Sequence, residues 1–232
     1  MIYNTEYALK EFEEHGELWM QQHLAGHLNT ILDVGANIGE WTRMARTYNP
    51  NAEIHMFEIV PDTYRKLLQN IPIDSKIVPN GFGLSNQAGI IEMQYLPEAD
   101  ALSTQYRELI LSGATIKTGL AFTGDDYVNS RQLQSIDYLK VDVEGAEGLV
   151  LQGFKNTLES LRIGIIQFEY SYHAILGRWL LVDAYNMLRP LGYHLGKLTP
   201  TGVMFHDYTY RYETFNGPDY VAVHDSKMHL FR

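Results

Sequence analysis

Residues 31–42 read ILDVGANIGEWT: a short apolar run, a turn carrying Gly35 and Gly39, and the opening of a helical pattern. The two glycines let the backbone approach a ligand closely, and the helix amino terminus behind them offers unpaired N–H donors. A strand that turns through glycines into a helix is shared by dinucleotide and S-adenosylmethionine sites. Asp33 separates the two. A carboxylate two residues before Gly35 opposes a pyrophosphate, whereas a sulfonium and an ammonium are attracted to it. Position 37 is Asn, where a dinucleotide fingerprint would place its second glycine.

Working outward, TILDV (30–34), EIHMF (53–57), KIVP (76–79), DYLKVDV (137–143) and RIGIIQF (162–168) read as buried strands. Helical spacing follows the first two, in IGEWTRMARTY and in PDTYRKLLQNI, where Pro61 suits a first helical turn. Strands alternating with helices, and strands apolar along their length, predict an α/β fold with a parallel sheet covered on both faces. Residues 86–127 interrupt the rhythm with GIIEMQYLP and ATIKTGLAF, read as extra strands, and YHLGKL (193–198) and DYVAV (219–223) add two more. Residues 1–29 read as a helical lead-in packed on the core, interrupted at Gly16 and Gly26, and residues 30–232 as one domain.

A chain of 232 residues buries roughly 70–75% of its unfolded surface, so a self-sufficient core is expected. The absence of cysteine excludes disulfides, thiolate nucleophiles and Cys-ligated zinc. A net charge of −10 argues against a nucleic-acid partner. Neither a secretory signal nor an apolar run of ~18 residues is visible, and a soluble cytoplasmic protein is expected.

The second decisive stretch is YLKVDVEGAEGL (138–149), a buried-looking strand that carries one lysine and three carboxylates. An unpaired charge does not belong in a core strand. The strand is therefore expected to leave the core at Asp142, which places Asp142 and Glu144 on a ligand crevice at the strand's carboxyl end. Glu169, ending the next strand, is expected to face the same crevice, and Glu58 at the end of the second strand is suited to ribose hydroxyls. Glu147 reads as a structural acid in the first turn of the next helix. Asp142, Glu144, Glu169, Lys140 and His173 are the candidate catalytic residues, with one acid as general base and Lys140 pairing a carboxylate or touching substrate. Asp142 and Glu169 also suit a divalent ion such as Mg²⁺. His23 and His27 form a weaker pair that lacks a third ligand. Tyr208, Tyr210 and Tyr212 share one face if extended, and could stack on an acceptor.

In order and spacing, ILDVGANIGEWT, HMFEIVPDTYRKL, GFGLSN, IDYLKVDVEGAEGLVLQGF, IQFEYSY and DYVAV resemble the FkbM family of S-adenosylmethionine-dependent methyltransferases, over about residues 30–223. The resemblance implies a class I (Rossmann-like) methyltransferase fold: a seven-stranded, mostly parallel sheet with helices on both faces and its last strand antiparallel. It implies methyl transfer, usually to oxygen, with a hydroxyl on a saccharide or secondary metabolite as acceptor. Carried over, Asp33, Gly35, Ala36, Asn37, Gly39, Glu58, Ile59 and Asp142 bind the cofactor, and the Phe82–Gly83 turn lies near the adenine. Asn86 and Gly124 depart from the family pattern, which has a frequent Asp and a Leu there. The rival readings are a non-catalytic S-adenosylmethionine-binding module and an NAD-dependent oxidoreductase.

Overall fold

The computed structural model describes residues 5–97, 103–106 and 113–232. Its strands are β1 (Thr30–Val34), β2 (Glu53–Phe57), β3 (Ile77–Asn80), β4 (Gly83–Ser85), β5 (Gly89–Tyr95), β6 (Thr115–Thr123), β7 (Ile136–Val141), β8 (Ile163–Ser171), β9 (Tyr193–Thr199), β10 (Gly202–Phe205) and β11 (Asn216–His224). The helices are α1 (Thr5–His15), α2 (Glu17–His23), α3 (Glu40–Tyr48), α4 (Pro61–Asn70), α5 (Gly124–Arg131), α6 (Glu147–Gly153), α7 (Lys155–Glu159), α8 (His173–Gly177) and α9 (Leu181–Leu188).

The central sheet runs β10-β9-β11-β8-β7-β1-β2-β3. Neighbours among β3, β2, β1, β7 and β8 are parallel, and β11 is antiparallel to both β8 and β9. This is the expected seven-strand frame with an eighth strand added. After β9 the chain turns through Thr199–Gly202, with Thr199 Oγ1 donating to Gly202 O at 2.8 Å, and returns as the edge strand β10. The two extra strands of the segment that broke the sequence rhythm, β5 and β6, join β4 in a separate three-stranded sheet, β4-β6-β5.

Alternation along the strands sorts the core into two layers. Leu32, Val34, Leu139, Val141, Ile166 and Phe168 pack towards Tyr127, Phe154 and Leu188. Ile31, Ile54, Tyr138 and Ile165 pack the other way, against Met20 and Leu24 of the lead-in and Trp41 and Met44 of α3. Asp33 and Lys140, register partners on β1 and β7, fall on this second face. Lys140 is only 4% exposed, so the strand does carry a buried charge, against the expectation that charge begins where the core ends. Strand order reverses between β1 and β7, and a ligand crevice is expected at their carboxyl ends.

The tyrosines of the tail do not share an extended face. Residues Tyr210–Tyr212 turn as a 3₁₀ helix, closed by Tyr212 N donating to Thr209 O at 3.0 Å. Tyr212 then stacks on His206, Tyr208 Oη donates to Glu213, and Tyr210 is left exposed. Among the described residues no helix is long and apolar enough to cross a membrane.

Candidate functional site

The glycine loop is built by main-chain bonds between strand ends. Gly35 N and Ala36 N both donate to Phe57 O, at 3.0 and 2.9 Å, and Asp142 N donates to Val34 O at 2.9 Å. Gly35 has φ +89°, and a Cβ on it would lie 1.7 Å from the Asp142 carbonyl oxygen. No other residue fits between β1 and the end of β7. Asn37 is also left-handed, at φ +48°. Its N–H donates to Glu58 Oε2 at 3.1 Å, while Glu58 Oε1 accepts from Val60 N at 2.7 Å. Glu58 thus braces the loop from the end of β2. Gly39 caps α3 at φ +88°.

Gly35, Asn37, Glu58 and Asp142 wall an open cleft that encloses about 810 Å³, solvent included, with Ile59, Leu84 and Val143, closed by Ser103 and Gln105. Gly39, expected to bind the cofactor, lines neither this cleft nor the neighbouring cavity and serves as the cap of α3. Ser103 and Gln105 come from a segment whose sequence carries no pattern, and sequence reasoning missed them. Gly83 lies in the wall, where a Cβ would press on Ile59. Phe82 does not line the cleft, because its ring packs on Phe57 and Phe122 at centroid distances of 5.8 and 5.0 Å. Asp33 does not line it either. It is fully buried behind the loop, where Oδ2 accepts from Thr42 Oγ1 at 2.6 Å, so it acts on a ligand only through the loop and through Lys140.

A second cavity, of about 1150 Å³, lies beyond the loop, between the amino-terminal helices and the ends of β7, β8 and β11. Ala36 lines this cavity rather than the first. The two cavities share Gly35, Asn37, Asp142 and Glu144. Lys140 Nζ is 2.7 Å from Asp142 Oδ2 and sits 5.6 Å over the Trp41 ring. Burial works to lower the Lys140 pKa, but Asp142, Glu17, Asp33 and Asp219 together hold it well above an ordinary lysine. His173 Nδ1 lies 2.7 Å from Glu144 Oε2 and 4.0 Å from Glu169 Oε2. Glu144 takes a left-handed backbone, φ +54°, and burial raises its pKa against the opposing influence of His173. Burial, then the charges of Asp142, Glu144 and Glu147, push Glu169 up to about 10.

The expected acids therefore converge, with two adjustments. Asp142 is committed to Lys140, and the three residues whose ligand atoms lie within 4.8 Å of one another are Glu144, Glu169 and His173. They, and not Asp142 with Glu169, form the candidate metal group among the described residues. His23 closes α2, stacks on Trp19 and bonds Leu230 O, while His27 lies outside the helix, so that pair does not converge. Glu147 is structural as expected: its Oε1 accepts from Val143 N and Gly145 N at 2.9 and 3.2 Å.

Glu17 and Asp219 were missed. Both are buried in the second cavity and both accept from Gln167 Nε2, while Tyr138 Oη donates to Gln167 Oε1. The available signal was an acid directly after the Gly16 interruption and another at the head of an apolar strand.

The family model described as "Methyltransferase FkbM domain" matches residues 33–195. The hexuronic acid methyltransferase AglP of Haloferax volcanii is 32% identical over 162 residues, covering 69% of this chain and 59% of the relative. The 31-O-demethyl-FK506 methyltransferase FkbM of Streptomyces tacrolimicus is 26% identical, covering 55% of this chain and 60% of the relative. The chain thus spans about three fifths of the length of these curated relatives. A crystal structure of methyltransferase FkbM from Methylobacillus flagellatus KT superposes with a TM-score of 0.53 at 15% identity, over 85% of this chain and 44% of that one. That likeness identifies the fold as the class I methyltransferase fold.

Proposed function

The chain belongs to the FkbM methyltransferase family, and on that premise we propose that it transfers a methyl group from S-adenosylmethionine to a hydroxyl of a saccharide or a secondary metabolite. The observation that carries this reading is the meeting of two cavities at Gly35, Asn37, Asp142 and Glu144, where a donor on one side and an acceptor on the other would be held in line. Relatives named for a hexuronic acid and for a demethyl-FK506 support the two acceptor classes.

The residues of the smaller cleft suit a nucleoside with a cationic tail. Glu58 lines the cleft at the end of β2, where a carboxylate suits the ribose hydroxyls of a nucleoside. Ile59 and Leu84 offer apolar surface to a base. Asn37 Oδ1 is buried with no hydrogen-bond partner among the described residues, and with Asp142 and Glu144 it suits an ammonium and a sulfonium. S-adenosylmethionine, when bound, supplies an electrophilic methyl: its S–CH₃ bond breaks as the O–CH₃ bond forms, and sulfur keeps the electron pair.

The chain's own part is to orient the hydroxyl and remove its proton. Glu169, protonated at neutral pH, donates a hydrogen bond that fixes the acceptor. Glu144 takes the hydroxyl proton, and His173 beside it holds the carboxylate in place. A positioned base contributes ~10²–10⁴-fold. Glu144→Gln should lower turnover by that factor.

A second reading has Glu144, Glu169 and His173 hold a divalent ion that lowers the pKa of the hydroxyl, favoured by the convergence of their ligand atoms. It requires activity to vanish in EDTA and return with Mg²⁺. The side-chain mechanism requires that EDTA have no effect. The primary test is calorimetry with S-adenosylhomocysteine and NAD⁺, followed by transfer of labelled methyl to a panel of saccharides and hydroxylated metabolites. Saturable binding of the thioether with ether product supports the proposal. Binding of NAD⁺ instead sinks it, and thioether binding with no transfer to any acceptor favours a non-catalytic module.

A further inference from the structure

Residues 103–106 form a short strap between the edge strand β5 and the turn that carries Glu144. On the β5 side, Thr104 N donates to Gln94 O at 3.3 Å and Thr104 O accepts from Gln94 N at 2.8 Å, while Gln94 Nε2 donates to Tyr106 O at 2.6 Å. Successive residues of the strap then serve two different neighbours. Ser103 and Gln105 line the smaller cleft. Thr104 is fully buried, and its Oγ1 donates to the Glu144 carbonyl at 2.9 Å, whereas Tyr106 Oη donates to the Gly145 carbonyl at 3.2 Å.

Those two carbonyls belong to consecutive left-handed residues, Glu144 at φ +54° and Gly145 at φ +103°. A left-handed glutamate persists only where its surroundings over-determine it. Here Glu147 Oε1 holds the amides of Val143 and Gly145, and the strap holds the carbonyls of Glu144 and Gly145. The space is closed as well: a Cβ on Gly145 would lie 2.7 Å from the His173 carbonyl oxygen and 3.0 Å from the Tyr106 ring. The backbone from which the Glu144 carboxylate reaches His173 Nδ1, at 2.7 Å, is thus fixed from the strap on one side. Ser103 supplies a link to the cleft. Its Oγ is buried and has no hydrogen-bond partner among the described residues, so the wall holds a hydroxyl ready for a polar ligand atom. A bond made to Ser103 as the cleft fills steadies the strap, and the strap steadies the turn.

Resting on the methyl-transfer reading above, we infer that residues 103–106 couple the filling of the smaller cleft by S-adenosylmethionine to the setting of Glu144: Ser103 bonds the cofactor, and Thr104 is a positioning residue that fixes the base. Proton removal from the acceptor is thereby tied to the presence of the methyl donor.

The test is hydrogen–deuterium exchange read by mass spectrometry on the full chain, free and saturated with S-adenosylhomocysteine, with calorimetry to establish saturation. Exchange in the peptide covering residues 143–150 should slow about 10-fold when the thioether binds. Thr104→Val keeps the shape and loses the hydroxyl; the thioether should still bind saturably, but most of the slowing should vanish, and Thr104→Ser should restore it. If Thr104→Val does not melt cooperatively, Tyr106→Phe removes the other donor and should blunt the slowing in the same way. Ser103→Ala should weaken thioether binding about 3- to 10-fold and also blunt the slowing at saturation. A strap that is only structural would speed exchange equally with and without the thioether, and that outcome overturns the inference. So does a parent turn that exchanges alike in both states, or a Thr104→Ser chain no better than Thr104→Val. Failure of the thioether to bind would bring down the methyl-transfer reading. Binding with no change at the turn would bring down this inference alone.

Discussion

The two cavities touch at four residues yet are made in different ways. The smaller cleft, proposed above for the cofactor, is shaped by backbone: Gly35 wedged under the Asp142 carbonyl, Ala36 and Gly35 donating to Phe57 O, Gly83 against Ile59. Its parts come from short contiguous loops at consecutive strand ends. The larger cavity, proposed above for the acceptor, is shaped by side chains drawn from residues 11 to 219, held by a buried network in which Lys140, Gln167, Glu17 and Asp219 satisfy one another. Peptide groups locked in a loop tolerate no added atom. A buried network of charges tolerates no missing partner.

Removing the network's cation is the hardest blow to the acceptor side. Lys140→Met fills much of the same volume but leaves Asp33, Asp142 and Asp219 without the ammonium between them. Breaking a buried pair by deleting one partner costs ~3–5 kcal/mol. For a chain of this size that is a fall in melting temperature of ~6–20 °C, read by thermal unfolding at neutral pH. A loss of only ~1 kcal/mol would mean that the acids are already neutral and that the network is held by hydrogen bonds alone.

The matching blow to the cofactor side adds atoms where there is no room. Gly35→Val puts a branched side chain at φ +89°, with its Cβ 1.7 Å from the Asp142 carbonyl oxygen. The loop must move, and with it Asn37 and its bond to Glu58. A loss of S-adenosylhomocysteine affinity of about 100-fold, or ~2.7 kcal/mol, is expected from calorimetry, with a cooperative melt retained. Affinity near that of the parent would show that the backbone does not shape the cleft. Glu58→Gln, which keeps size and removes charge, should cost about 10-fold, in keeping with hydrogen bonds to a charged acceptor.

The same contrast explains what could be read beforehand. The turn at Gly35, Asn37 and Gly39 and the strand-end place of Glu58 were legible because a strand–turn–helix declares its geometry within a dozen residues; uninterrupted apolar runs pointed to a parallel sheet, and the seven-stranded frame came from the family resemblance. Asp142, Glu144 and Glu169 were legible as strand-end acids. Their sorting was not: that Asp142 serves Lys140 while Glu144 turns to His173 depends on the left-handed backbone of Glu144, between Val143 and Gly145. Phe82 was misplaced because a turn glycine says where the chain bends and nothing about where the preceding ring packs. Asp33 was read as facing the ligand, yet strand alternation alone puts it on the face of Ile31 and Tyr138, beneath the loop. Glu17 and Asp219 stand 202 positions apart and meet only through Gln167, a pairing that no local pattern encodes.

A final prediction sharpens the comparison through pH, because peptide groups do not titrate in this range and the network does. Glu17 is faced by Asp219 from β11, by Lys140 and Asp142 from the end of β7, and by Gln167 from β8. Burial and Asp219 raise its pKa from 4.5 to about 8, with Lys140 opposing them. Between those values the folded chain keeps a proton that the unfolded chain has released, so the derivative of unfolding free energy with pH is negative. The stabilisation is present below pH 4.5 and is lost progressively as pH rises to about 8. Asp219, raised to about 6 mainly by burial, adds loss in the lower part of the window. Glu17→Gln cannot ionise and still accepts from Gln167 through its amide oxygen. The melting temperature of the parent should therefore fall more than that of the variant between pH 5 and pH 8, with the curves converging at the acid end. Parallel curves would mean that Glu17 is ionised throughout and paired with Lys140, and the acceptor cavity would then carry one negative charge more at neutral pH.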